Sequence, residues 1–213
     1  MDQTRQKILE SAGKCFAEKG FTSTTVREIC GLAGVNIAAV NYHFGDKRRL
    51  YIEAVKQAHC HKGEPPQFNW DRTTAAEQKL EEFVRGMMTR ILDDQEPSWQ
   101  VELLLREMAR PTEACVELVR SFIGPMFDTL LSIVSEILPP DLPLIERHLH
   151  AFTIIAQCLL YRYHRPIGRL LVGDEEYRAL FDVDLLTRHI ARTSLAALHS
   201  RALEARSREE VPA

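Results

Sequence analysis

The chain has 213 residues and a mass of 24.4 kDa, with 45% hydrophobic and 27% charged residues. That balance belongs to one large or two small globular domains with real cores, and it excludes disordered, collagen-like and disulfide-scaffold chains. The formal net charge of −3 and a pI near 6.3 argue, as bulk numbers, against a nucleic-acid binder, because phosphate-binding domains are usually basic. The five cysteines, Cys15, Cys30, Cys60, Cys115 and Cys158, are odd in number and irregularly spaced, as expected of reduced thiols in a cytosolic protein. The opening MDQTRQKILE has no apolar core of a signal peptide. Residues 148–161 are free of Asp, Glu, Lys and Arg but are too few to span a bilayer. A soluble, cytoplasmic protein with no membrane partner is expected.

Residues 4–19 place Ile8, Leu9, Ala12, Phe16 and Ala17 at helical spacing, and Gly20 is suited to stop that helix. Thr24 or Thr25 caps a second helix through Ala33, with Glu28 where a capping box wants its acid, and Gly34 ends it. Asn36 caps a short third helix to about Phe44, and Asp46 a fourth from Lys47 to about Ala58. Residues 62–72, KGEPPQFNWDR, hold Pro65 and Pro66 without helical period and read as a linker. Helical patterns return over 74–92, 98–110 and 112–138, the last with a bend expected at Gly124-Pro125. After Pro139, Pro140 and Pro143, further helices are expected over 144–163, ending before Pro166, and over 184–206, with a frayed REEVPA end. There is no alternating β pattern and no internal repeat, so the fold expected is all-α.

The charge is unevenly divided. Residues 1–50 hold eight Lys or Arg against five Asp or Glu, a net +3, while the other 163 hold nineteen against twenty-five, a net −6. A basic, phosphate-seeking head on an acidic helical body is one explanation; an ordinary fluctuation between halves of a chain is the other.

The segment TTVREICGLAGVNIAAVNYHFGDKRRLY, residues 24–51, decides between them. A helix-turn-helix needs a first helix, a tight turn and a short second helix that offers small and polar side chains to the major groove. Val26, Ile29 and Ala33 supply the inward face of the first helix, Gly34 the turn, and Val35, Val40 and Phe44 the inward face of the second. Asn36, Ile37, Ala38, Ala39, Asn41, Tyr42 and His43 then face outward. The alanines permit close approach, Asn36 and Asn41 can bond base edges or phosphates, and Ile37 can touch thymine methyls. Tyr42, His43 and Lys47 stand where the helix leaves the groove, suited to phosphates, and Thr25 and Arg27 open the first helix beside them. The start of the fourth helix, at Asp46-Lys47, also offers backbone N–H groups to an anion.

These residues resemble the DNA-binding domain of the TetR family of transcriptional regulators. The resemblance rests on FAEKGF (residues 16–21), the TTVREI start of the second helix, the AGV turn and the NYHFGDK ending followed by Leu50. Where the family usually has Gly-Thr or a similar small pair, and often Tyr-Tyr before His-Phe, this chain has Ala38-Ala39 and Asn41-Tyr42, which is expected to alter base preference. The body is similar to a TetR subgroup called CerR-like, through WQVELLLREMARPT (99–112) and AQCLLYRYHRPI (156–167). The resemblance implies a three-helix helix-turn-helix domain over residues 1–50 and a larger helical bundle over 51–213 that carries the ligand pocket and the dimer interface. It implies a homodimer, a near-palindromic double-stranded operator and a small apolar or amphipathic effector.

Within the body, Phe83, Met87, Trp99, Met108, Phe122, Met126, Phe127 and Phe152 are candidate pocket residues, although each alone is better explained as helical core. Gln157 interrupts an apolar run, and Glu102, Arg106 and Glu107 lie on an otherwise apolar helix. A Glu102–Arg106 or Arg106–Glu107 pair would either orient a ligand or tie two helices together. His59, Cys60 and His61 point to different sides of a helix and are read as a helix end rather than a metal site. The sequence shows no nucleophile elbow, phosphate loop or HExxH, so neither enzyme activity nor a cofactor is expected. The function expected is a sequence-specific DNA-binding transcriptional regulator, a repressor released by its ligand. The competing readings are an all-α small-molecule-binding protein and a protein-interaction adaptor without operator binding.

Overall fold

The structure is a computed structural model that describes residues 2–60, 66–92, 98–163 and 165–209. Among these residues the helices are α1 (Gln3–Ser23), α2 (Val26–Ala33), α3 (Ile37–Phe44), α4 (Lys47–Cys60), α5 (Ala76–Leu92), α6 (Trp99–Ala109), α7 (Glu113–Leu118), a π-helical turn (Val119–Ile123), α8 (Gly124–Ile137), α9 (Leu144–Tyr163), α10 (Arg165–Val172), α11 (Asp174–Leu180) and α12 (Val183–Glu209). The described residues contain no strand, and the all-α expectation is met. The chain forms two compact units, residues 1–65 with 96–124, and residues 66–95 with 125–213. The first unit therefore holds α6, α7 and the π turn together with α1 to α4.

The core of the first unit is built from one face of each of its helices. Ile8, Ala12 and Phe16 of α1 meet Ile29 of α2, Val40 of α3, Leu50 and Val55 of α4, Leu103 of α6 and Leu118 of α7, all fully buried. α1 and α6 touch where α1 has no side chain. A Cβ on Gly13 would stand 2.2 Å from the Trp99 ring, so only glycine lets the indole lie there. Helical φ/ψ fail at Gly20, as expected, and the buried Thr24 hydroxyl donates to the carbonyls of Gly20 (2.8 Å) and Cys15 (3.1 Å) there.

Two polar residues of α6 tie this unit together, and neither expected ion pair forms. Arg106 donates from Nε to the Ala17 carbonyl (3.1 Å) and from Nη2 to the Glu18 carbonyl (3.0 Å). These carbonyls end the regular part of α1, which leaves such acceptors unpaired. Glu107 is wholly buried. Its Oε2 accepts from the Tyr51 hydroxyl of α4 (2.6 Å), and its Oε1 from the Thr112 amide (2.6 Å), the Thr112 hydroxyl (2.9 Å) and the Cys115 amide (3.0 Å). A buried carboxylate is tolerated only when its lone pairs are met in this way. Burial, and then the hydrogen bond to Glu107, push the Tyr51 phenol far up, so it remains a donor.

The second unit packs Leu80, Val84 and Met88 of α5 against Leu130 and Ile133 of α8, Ala151 and Cys158 of α9, and Ile190 and Leu198 of α12. Burial pushes the Cys158 thiol up to about 12. The described half of the expected linker is part of this unit. Phe68 stacks on Trp70 at 4.6 Å and lies 5.7 Å from Phe83, and the Trp70 indole donates to Glu82 (2.6 Å). Its aromatic content, which the prolines masked in the pattern, supplies that packing; residues 62–65 lie outside the described set.

At the expected bend, Pro125 has no N–H to offer the carbonyl four residues earlier. The helix there widens into the π turn, in which the Gly124 amide reaches back to the Val119 carbonyl. Helices α10 and α11 were not predicted by the sequence pattern, which stopped before Pro166. They have eight and seven residues, too short for a period to declare itself. The helical stretch Glu113–Ile137 is long and apolar enough to cross a membrane. Its buried residues are core: Ala114 and Leu118 in the first unit, Leu130, Ile133 and Val134 in the second.

Replacing Tyr51 by Phe keeps the ring and removes one donor from the buried carboxylate. The expected cost is about 1.5–3 kcal/mol, the range for a hydrogen bond to a charged group, read as a lower urea midpoint at unchanged slope.

Candidate nucleic-acid interface

The helix-turn-helix is assembled by local hydrogen bonds that its sequence prescribes. Thr25 caps α2: its hydroxyl accepts from the Glu28 amide (3.2 Å), while Glu28 Oε2 accepts from the Thr25 amide (2.8 Å) and hydroxyl (2.9 Å). The capping box is complete, and the Lys19 ammonium holds the other Glu28 oxygen at 2.9 Å. Lys19 first, and then the Thr25 amide and hydroxyl, hold the Glu28 carboxyl down at about 2. Gly34 closes α2 at φ 68° and ψ 35°, left-handed values that a side chain would strain. Asn36 then caps α3, its Oδ1 accepting from the Ala39 amide at 2.9 Å.

α3 is pinned from one side by Val40 (0% exposed) and Phe44 (6%). Its opposite face carries Ile37 (44% exposed), Ala38, Asn41 and Tyr42 (85%), at positions i, i+1, i+4 and i+5, with the exposed cap Asn36 before them. Two residues expected to face outward turn in. Ala39 is half-buried against the core, and His43 is half-buried with Nε2 3.5 Å from the Asp2 carboxylate. Both sit beside the Val40–Phe44 stripe, where α1 closes over the helix. Thr25 and Arg27 are exposed.

Lys47 is half-buried; its ammonium lies 4.6 Å from the Phe21 ring centroid and 3.4 Å from the Thr22 carbonyl. The start of α4 is less open to an anion than its sequence suggests, because the Asp46 carboxylate already takes the Arg49 amide at 2.8 Å. The sequence pattern missed two arginines beside α3. Arg5 stands 4.9 Å over the Phe44 ring and pairs with Glu53 at 2.9 Å. With Arg49, Asn41, Tyr42 and His43 it lines a surface groove of about 530 Å³. No local pattern links residue 5 to residues 41–53; only the folding of α1 across α4 brings them together.

Residues 8–54 match the family described as bacterial regulatory proteins of the tetR family. Residues 76–198, more than half of the chain, match the C-terminal domain of the HTH-type transcriptional dual regulator CecR. The chain belongs to the TetR family. Its body is thus of the CecR type, the subgroup expected above as CerR-like. CecR of Shigella flexneri is 26% identical over 214 residues, covering 91% of this chain and 96% of that protein. The HTH-type transcriptional repressor AcnR of Corynebacterium efficiens is 35% identical over 85 residues, and this match spans only 40% of either chain. A TetR-like transcriptional regulator from Rhodococcus sp. RHA1 has the same fold, with a TM-score of 0.58 at 14% identity over 93% of this chain and 97% of that one.

In this TetR family member the residues expected to line a pocket fall into two groups. Trp99, Glu102, Arg106, Met108 and Phe122 lie in the first unit, and Phe83, Met87, Met126, Phe127, Phe152 and Gln157 in the second. Trp99 packs on Gly13, Arg106 caps α1, Glu102 and Met108 are exposed, and Phe122 lies 5.1 Å from His59. Phe83 and Met87 are buried core, with Met126 packed against that core. Gln157 joins α9 to α12, donating to Ser194 (3.3 Å) and accepting from Thr193 (3.0 Å). Neither the groove beside α3 nor a cavity of about 430 Å³ bordered by Glu77, Glu136, His199 and Arg206 contains any of these residues. His61 lies outside the described set.

The depressed Glu28 carboxyl gives a pH prediction. Its folded value lies below the unfolded one, so the capping contribution is present above the ordinary carboxylate range and is lost as pH falls through about 2. A carboxyl-carbon NMR titration should place the Glu28 midpoint near 2 and move it upward in Lys19→Met. A midpoint already in the ordinary range, unmoved by that change, would remove Lys19 as the cause.

Proposed function

We propose that this protein is a transcriptional repressor acting in the cytoplasm, a homodimer that binds a near-palindromic operator through α3 and leaves it when a small apolar or amphipathic effector binds its C-terminal body. The observation that carries the reading is the division of α3. Val40 and Phe44 anchor it, while Asn36, Ile37, Ala38, Asn41 and Tyr42 lie exposed on a helix opened by a capped helix-turn-helix. Ile37 and Ala38 suit thymine methyls, and Asn41 can bond a base edge. Tyr42, Lys47 and the arginines of the neighbouring groove suit phosphates, with Thr25 and Arg27 at the start of α2.

Dimerisation is supported by α9. Ile145, Leu149, Phe152, Ala156 and Leu160 follow one another every three or four residues, and all five are exposed. Packing this stripe, with the adjoining face of α12, against the same surface of a second copy makes a two-fold four-helix bundle. Two copies of α3 then enter successive major grooves about 34–36 Å apart. Induction requires only that the effector bind a state with another α3 separation better than the operator-competent one.

Fluorescence anisotropy on a fragment from the protein's own promoter tests the operator reading. Asn41→Ala should change preference at particular base pairs by about 1–3 kcal/mol. Tyr42→Ala should weaken binding evenly across sequences, and Lys47→Ala should also lower the salt slope. Wild-type affinity in all three variants would remove α3 as the reading element. A thermal-shift screen that finds no molecule able to loosen operator binding would remove the effector.

The dimer reading has its own test. Phe152→Glu should convert a dimer into a monomer in sedimentation velocity and leave the helical circular dichroism intact.

A further inference from the structure

Between the two helices of the proposed dimer bundle, α10 and α11 form a helical hairpin that turns at Gly173. Its interior is already filled. A Cβ on Gly168 would stand 2.8 Å from the Tyr177 ring, so the two helices touch there. Tyr177 is 5% exposed, its ring lies 4.1 Å from Phe181, and the Arg169 guanidinium stands 5.3 Å over it. Ile167, Leu170 and Leu171 take no part in this packing and are 53%, 87% and 77% exposed. Three large apolar side chains on one two-turn helix form a patch of the kind that marks an interaction site.

We propose that the α10–α11 hairpin is a dimer arm, which lays Ile167, Leu170 and Leu171 against the N-terminal half of α12 in a second copy of this chain. Two features select that occupant. The first is continuity with the dimer face. Leu160, the last residue of the exposed α9 stripe, lies three residues before α9 ends at Tyr163, and α10 begins at Arg165 with Ile167, Leu170 and Leu171 exposed, so the two apolar faces follow one another in the chain. The second is charge. The first turn of α11 exposes Asp174, Glu175 and Glu176, while the N-terminal half of α12 exposes Arg188, His189 and Arg192 beside Leu185. In a two-fold dimer every contact occurs twice with the roles exchanged. The acidic first turn of α11 in each copy then meets the Arg188, His189 and Arg192 stretch of α12 in the other, beside an apolar contact between α10 and Leu185.

The arm rests on the dimer reading above, and the experiment separates the two. Sedimentation velocity over a concentration series on the full chain compares wild type, Phe152→Glu, and the double variant Leu170→Glu with Leu171→Glu. The expected result is a dimer dissociation constant raised at least about tenfold in the double variant, with circular dichroism and thermal unfolding of the dissociated protein unchanged. Replacing Asp174, Glu175 and Glu176 together by Lys should also weaken the dimer, less so at high salt. Mixing that variant with Arg188→Glu/Arg192→Glu should give a heterodimer tighter than either homodimer. A wild type that is monomeric at every concentration overturns both readings. A wild-type dimer that Phe152→Glu breaks, and that the α10 double variant leaves at its original dissociation constant, overturns the arm alone.

Discussion

The carboxylate of Glu107 must find its partners inside the protein, because none of its surface reaches water. Leaving such a group unpaired costs several kcal/mol, and this requirement organises the first unit. It draws the Thr112 and Cys115 amides, and so the start of α7, to one carboxylate oxygen and the Tyr51 hydroxyl of α4 to the other. The Tyr51 ring in turn lies edge-on to Phe16 at 4.9 Å and to Phe21 at 5.1 Å, and Phe21 carries the Lys47 ammonium on its face. One chain of contacts thus leads from α6 and α7, through α4, to a cation at the edge of the helix-turn-helix. α6 and α7 come from a part of the sequence remote from the head, yet they fix the helix that follows α3.

What was legible in the sequence was whatever local chemistry decides. The capping box of Thr25 and Glu28, the left-handed turn at Gly34 and the Asn36 cap each need only three or four consecutive residues. All three formed as their residue types require, and the buried positions Ile29, Val40 and Phe44 followed from period alone. Outward direction was less legible. Ala39 and His43 lie on the margin of the α3 stripe, and whether a margin is covered depends on remote parts of the chain, such as the Asp2 cap of α1 that meets His43.

Pairings across the fold were the least legible. Glu102, Arg106 and Glu107 are neighbours on one helix, so pairing among themselves was the economical reading. The helix sends them elsewhere: Arg106 to the carbonyls of Ala17 and Glu18, Glu107 to Tyr51. A buried acid takes the donors that the fold brings to it, not those nearest in sequence. The same holds for Phe68 and Trp70, which a proline-rich stretch concealed as linker until α5 supplied the surface they cover.

The net charge of −3 now has a different meaning. The exposed face of α3 holds no Lys or Arg; it presents Ile37, Ala38, Asn41 and Tyr42. In the proposed complex, affinity for phosphate therefore comes from residues around α3, and base preference from uncharged side chains on it. Several of the surrounding cations are already engaged within the protein, Arg5 by Glu53, Arg48 by Glu113 and Lys19 by Glu28. A phosphate that recruits Arg5 or Arg48 competes with those carboxylates, which lowers the non-specific, salt-sensitive share of binding. A head of only +3 with its cations partly paired holds DNA weakly wherever the bases do not fit. For a regulator that must leave non-operator DNA, a small and internally paired charge favours discrimination over raw affinity.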